Sequence, residues 1–160
     1  LRDGRFEDRF EGKVFRFYGE CDGAEGDDAD WQAFRYRHGI AEGAVDMPPE
    51  KALPLEAQLD RHGGINFEKG CYIGQEVTAR TRYRGLLKRR YMTVTSSTAI
   101  TAPCDLDQDG KNAGHLLAMV ADGPGWVGLA SIRLEAVDNN APVTAQGHPL
   151  SIVTHDDPVN

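Results

Sequence analysis

Hydrophobic and polar positions change rhythm partway along the chain. Over residues 86–94 they alternate, with Leu86, Lys88, Arg90, Met92 and Val94 on one side, the period of a strand. Further apolar stretches follow at 114–120, 126–134 and 150–154, separated by Gly, Pro, Asn and Asp turns. Several short strands with turns at such intervals predict a small sandwich or barrel. Before residue 85 the pattern is mixed. Residues 5–10 alternate weakly, 13–18 are rich in strand formers, and Gly12 between them predicts a hairpin.

A helix is predicted through Trp31, Phe34 and Tyr36, capped by Asp28 or Asp30 and stopped by Gly39. Pro48-Pro49 breaks the chain. Pro54 suits the first position of a second, short helix, which lacks a use for its N–H. Leu55 and Leu59 give that helix an apolar stripe, and Gly63-Gly64 ends it. A third helix is expected from about Gly74 through Val77 toward Arg84, with Gly85 as its stop. The organisation predicted is an α+β piece over residues 1–85 and a mostly β domain over 86–160.

Composition narrows the classes. The chain has 160 residues, 40% apolar and 27% charged, as expected of a soluble globular protein. No apolar run reaches the length of a membrane-spanning helix, so no membrane partner is expected. The chain opens Leu1-Arg2-Asp3-Gly4, without an initiator Met or a signal-peptide pattern, and reads as a piece of something longer. Three sparse cysteines, Cys21, Cys71 and Cys104, suggest no disulfide framework and point to a reducing, cytoplasmic setting. Neither the cysteines nor the histidines show metal-ligand spacing, so no metal site is expected.

A net charge of −7 argues against indiscriminate nucleic-acid binding. The charge is uneven. Residues 20–30 hold six acids and no base, a solvated loop; residues 80–90 hold six bases and no acid. That second cluster is a solvated face, a site for a carboxylate or phosphate through arginine forks, or an RNA contact with Tyr83 and Tyr91 as stacking surfaces. The run Asp105-Leu106-Asp107-Gln108-Asp109-Gly110 opens like a calcium-binding loop, but the twelfth position, which needs a bidentate Glu, is Leu116. An Asp-Gly hairpin turn is the expectation there.

The densest chemistry lies in Lys69-Gly70-Cys71-Tyr72-Ile73-Gly74-Gln75-Glu76. A thiol, an ammonium, a phenol, an amide and a carboxylate sit between two glycines. Lys69 and the start of the third helix both favour a thiolate at Cys71, while free cysteines are also common as small buried hydrophobes. Gln75 and Glu76 suit a helix's first turn without further function. Tyr72 equally anchors a loop in the core. Glu56, one turn beyond Pro54, is explained by the helix dipole, or by a ligand ring bearing paired N–H donors.

These residues resemble a known family. The octapeptide is similar to the signature of the YgfZ family, folate-binding relatives of the glycine-cleavage T-protein. Arg35 with Gly39, Gly43 and Asp46, then Pro54-x-Glu56-Ala57, Thr78-Ala79-Arg80 and Lys88-Arg89-Arg90, fit the same pattern over residues 35–94. The resemblance implies the end of an aminomethyltransferase-like folate-binding α+β domain followed by a small antiparallel β-barrel, with an N-terminal part of the same protein missing. It implies tetrahydrofolate as cofactor, with Glu56 holding the pterin. Arg35, Tyr72, Gln75, Glu76 and Arg90 would surround the folate. It further implies that Cys71, tuned by Lys69, supports iron–sulfur cluster assembly or repair in client enzymes, alongside iron–sulfur clients or assembly factors. The Cys-Tyr pair departs from the T-protein pattern, where a Phe is usual at the Tyr72 position. That favours the accessory role over the alternative of a folate-dependent aminomethyltransferase or demethylase. An RNA-binding adaptor is the further alternative.

Overall fold

The computed structural model describes residues 4–10, 12–20, 23, 26–71, 73–139 and 141–154. The predicted hairpin is present. β1 (Gly4–Phe6) pairs antiparallel with β2 (Phe15–Phe17), with Phe6 opposite Phe15 and their rings edge-on at 5.1 Å. A 3-10 turn (Asp8–Phe10) and Gly12, at φ +74°, bring the chain round. Phe10 is fully buried against Trp31 and Phe34.

Those aromatics lie on α1 (Asp28–Arg37). Its cap is Asp27, one residue before the earlier of the two expected: the Asp27 carboxylate accepts from the Ala29 N–H at 3.0 Å. Asp28 and Asp30 instead occupy the first turn, where the helix dipole favours acids. Gly39, at φ +67°, ends the helix as predicted. The short α2 (Gly43–Asp46) follows.

The helix expected from Pro54 is not regular. Ala57 N–H bonds to Leu53 and Leu59 N–H to Pro54, but Gln58 takes a left-handed φ of +58° and breaks the repeat. The reason lies in the tertiary structure. Gln58 is buried, and its amide donates to the backbone carbonyl of Tyr91 while its oxygen accepts from Arg61 at 2.7 Å. Side-chain bonding to a neighbouring strand here outweighs helix propensity. Leu55 is still buried, as its place in the pattern requires. The third helix, α3 (Gln75–Tyr83), matches expectation, entered through Gly74 at φ +85° and left through Gly85 at φ +59°.

The second half closes into a six-stranded antiparallel barrel. Its strands are β3 (Arg89–Ser96), β4 (Cys104–Gln108), β5 (Lys111–Asp122), β6 (Gly125–Arg133), β7 (Val143–Ala145) and β8 (His148–Val153). A one-turn helix, α4 (Leu134–Val137), follows β6. Around the barrel the order is β3-β6-β5-β4-β7-β8, closed by β8 on β3. The first strand starts at Arg89, later than the alternation from Leu86 suggested: Leu86 is exposed, and the Lys88 carbonyl accepts from the Leu134 N–H rather than from a strand partner. The three-residue β7 left no readable pattern. The Asp-Gly turn is as expected: Asp109 and Gly110 both have positive φ, and they join β4 to β5.

Period two explains how β3 and β6 serve two cores. Val94, Ala130 and Ile132 point into the barrel with Leu106, Leu116 and Leu150. Tyr91, Val127 and Leu129 point outward, against Ala33 and Tyr36 of α1 and against Ala41 and Ala57. Thr93 on the same outward face donates its hydroxyl to the Tyr36 carbonyl at 2.5 Å. The α-helical layer is thereby fixed to one wall of the barrel.

Candidate functional site

The octapeptide forms an irregular loop leading into α3. Asn66 shapes its start: its side-chain oxygen accepts from the Glu68 N–H at 2.8 Å and the Lys69 N–H at 3.3 Å, an Asx turn. Gly74 then enters α3 in a conformation that a side chain would strain. Cys71 lies exposed between them.

A cleft of about 190 Å³ opens at this loop, lined by Phe67, Lys69, Cys71, Gln75 and Tyr83 with Asn66 at its edge. Three of the predicted residues, Lys69, Cys71 and Gln75, are therefore brought together. Glu76 is exposed on the first turn of α3 and does not line the cleft. Tyr72 lies outside the described residues. α3 buries only Thr78 and carries exposed apolar groups: Val77 at 63% and, beside the cleft, Tyr83 at 76%, with Ile73 fully exposed just ahead. On the same helix the half-exposed Arg82 guanidinium lies 4.0 Å from the centre of the Phe67 ring.

Arg35, Glu56 and Arg90 stand elsewhere. Arg35 is buried, and one guanidinium nitrogen reaches Asp46 at 2.6 Å and the Ile40 carbonyl at 3.2 Å. Asp46 is itself saturated, accepting also from the Tyr36 hydroxyl at 2.8 Å and the Glu42 N–H at 2.9 Å. Burial, reinforced by Asp46, pushes the Tyr36 phenol upward. Glu42 extends the network outward to Arg9 at 2.8 Å and the Trp31 indole N–H at 3.2 Å. Burial opposes its ionisation, but Arg9, Trp31 and Arg35 together hold its carboxyl below the usual range.

Glu56 is half-buried on the turn beneath β3, and its main-chain carbonyl accepts from the Tyr91 N–H at 2.7 Å. Burial raises its carboxyl, partly offset by the Arg89 charge. Arg90 is half-buried near the start of β3, opposite Ile132. Sequence reasoning passed over Asn66, Phe67, Arg82 and Tyr83 as parts of this site. The signals were weak ones: an Asn two residues before the amide it caps, and an Arg three positions after Ala79 on a helix face.

Among the described residues no group of three or more His, Cys, Asp or Glu is placed to hold a metal ion. No described helix is long and apolar enough to cross a membrane.

A closed six-stranded barrel carrying a helical layer, with an exposed thiol loop before it, defines the architecture. Comparison with known families agrees: residues 88–157 match the model described as "CAF17, C-terminal beta-barrel domain". That family lies in the same T-protein-like superfamily as the YgfZ proteins, so the similarity holds at the broader level. The individual relatives are more specific. The chain is 38% identical over 139 residues to "Iron-sulfur cluster assembly factor IBA57, mitochondrial" of Mus musculus, an alignment covering 82% of this chain and 38% of the mouse protein. It is 40% identical over 121 residues to the protein of the same name from Homo sapiens, covering 72% of this chain and 33% of that one. A homologue in Phaeosphaeria nodorum is 52% identical over 60 residues, covering 38% of this chain and 15% of the fungal protein. The chain thus spans well under half the length of these curated relatives. Their names also overturn the expected cytoplasmic setting, because each is designated mitochondrial; sparse cysteines report a reducing milieu and do not separate one reducing compartment from another.

Proposed function

We propose that this chain is part of a mitochondrial iron–sulfur cluster assembly factor, with Cys71 as the thiol that meets the cluster or its carrier. The observation that carries the reading is the exposed Cys71 on a cleft lined by Phe67, Lys69, Gln75 and Tyr83, with the exposed apolar side chain of Ile73 two residues on. A thiolate is a natural ligand for cluster iron. The cluster is cargo here: the Cys71 sulfur, after losing its proton, would take one iron position and release it to a recipient. Exposed apolar groups beside a reactive atom suit a partner surface that closes over it. The names of the relatives support the same role.

The finer reading adds tetrahydrofolate, in keeping with the YgfZ-like octapeptide. Glu56 offers a half-desolvated carboxylate suited to paired N–H donors of a pterin, and Arg90 with its basic neighbours suits the folate glutamate tail. Gln75, Glu76 and Tyr72 would contribute from the loop. Arg35 enters that pocket only by leaving Asp46.

The test uses the full-length protein in a strain lacking its own copy. Cys71→Ser should leave client iron–sulfur enzymes inactive while the protein accumulates normally; restoration equal to the wild type would remove the thiol role. Folate titration of the same protein should show saturable binding weakened by Glu56→Ala. Equal binding by both forms would remove the pterin assignment and leave the cluster role standing.

A further inference from the structure

We infer that Arg82 is a positioning residue that clamps the Cys71 loop. The inference rests on the cluster-handling role given to Cys71 above, and it names the side chain that holds that thiol in place. The backbone of the loop leaves the preceding turn through Gly64 and Ile65, whose N–H groups bond to the Leu59 carbonyl. It is then shaped locally by Asn66, whose side-chain oxygen accepts from the Glu68 and Lys69 N–H groups.

Arg82 ties the loop to α3. Its guanidinium carbon sits 4.0 Å from the Phe67 ring centre, close contact for a cation on an aromatic face. One nitrogen lies 4.0 Å from an Asp60 carboxylate oxygen. A single planar group thus joins three segments: the turn through Asp60, the loop through Phe67, and α3 itself. Phe67 also forms a wall of the cleft that Cys71 lines, so the clamp acts on the thiol through one intermediate side chain. Arg82 has the geometry for this where its neighbours do not. α3 turns the positions of Arg80 and Arg84 away from the Ala79 and Arg82 side. A fork that stacks and pairs at once is a property of guanidinium rather than ammonium.

The test is hydrogen exchange in the full-length protein, read at the Glu68 and Lys69 amides. Losing a half-exposed stacking and ion-pair contact should speed their exchange by about fivefold in Arg82→Ala. Phe67→Leu, which removes the stack and keeps every charge, should give a similar gain. The double variant should do no worse than the worse single one. Barrel amides such as that of Leu129 should be unchanged. Complementation of client-enzyme activity should fall in Arg82→Ala and recover in part with Arg82→Lys, which keeps the charge and loses the fork. Unchanged exchange at Glu68 and Lys69, strictly additive effects, or full activity in Arg82→Ala would overturn the assignment. If exchange responds as stated but Cys71→Ser restores client enzymes fully, the clamp stands and the Cys71 role falls.

Discussion

Replacing Asp46 with Asn tests the part of the structure that Arg35 has been drawn into. The substitution keeps the shape of the side chain and removes its charge. Asp46 is 1% exposed and Arg35 is 5% exposed, so their 2.6 Å contact is shielded from water. Breaking one side of a buried pair leaves the other charge without compensation, at a cost of about 3–5 kcal/mol. The Arg35–Glu42 contact at 3.4 Å stays but lies nearer solvent. For a chain of this length, each kcal/mol moves the melting temperature by about 2–4 °C, so Tm should fall by about 6–20 °C. Such a loss is a large fraction of the ~5–15 kcal/mol that typically separates folded from unfolded states. Thermal and urea denaturation of the 160-residue chain measure it. The double variant Arg35→Met with Asp46→Asn should recover part of the loss, because it removes the stranded charge and keeps an acceptor for the Tyr36 hydroxyl. A cost below about 1 kcal/mol, the value expected of an exposed pair such as Arg133–Glu135, would refute the reasoning.

Other outcomes follow from the same geometry. Glu56→Gln should raise stability at neutral pH. The folded state raises this carboxyl through burial, so its favourable contribution is complete below its ordinary value of 4.5 and is lost as pH rises through the raised value; the variant's advantage should therefore shrink on acidification. His62 behaves in the opposite sense. Burial, Arg61 and Arg9 depress its ring below 6.5, so stability should decline as pH falls from about that value, and His62→Gln should flatten the slope in urea titrations at pH 5–7. Gly128→Ala should destabilise by about 1–3 kcal/mol, since its added methyl would lie 2.4 Å from the Ala118 carbonyl oxygen. Leu129→Ala, at a fully buried position between barrel and helices, should cost about 2–5 kcal/mol by chemical denaturation.

Much of the fold could be read locally. The hairpin about Gly12, the stops at Gly39 and Gly85, the start of α3 and the Asp-Gly turn all depend on the conformational freedom of one or two residues, and their neighbours agree with them. The barrel strands β5, β6 and β8 showed as apolar stretches because each buries a run of side chains. The octapeptide announced itself by composition, and its Lys69, Cys71 and Gln75 do share a cleft.

Tertiary structure decided the rest. Pro54 and its apolar stripe predict a helix, yet Gln58 breaks it to bond the backbone of β3, a partner 33 residues away that no local pattern reveals. Arg35 reads in sequence as a candidate folate-pocket residue but is held by Asp46, because α2 folds back on α1. The same holds at the thiol. Sequence alone placed Cys71 between glycines; only the packing of α3 set Arg82 on Phe67 and gave that loop a wall. Period and turn chemistry are properties of neighbouring residues, whereas pairing between distant polar groups exists only once the chain has closed around them.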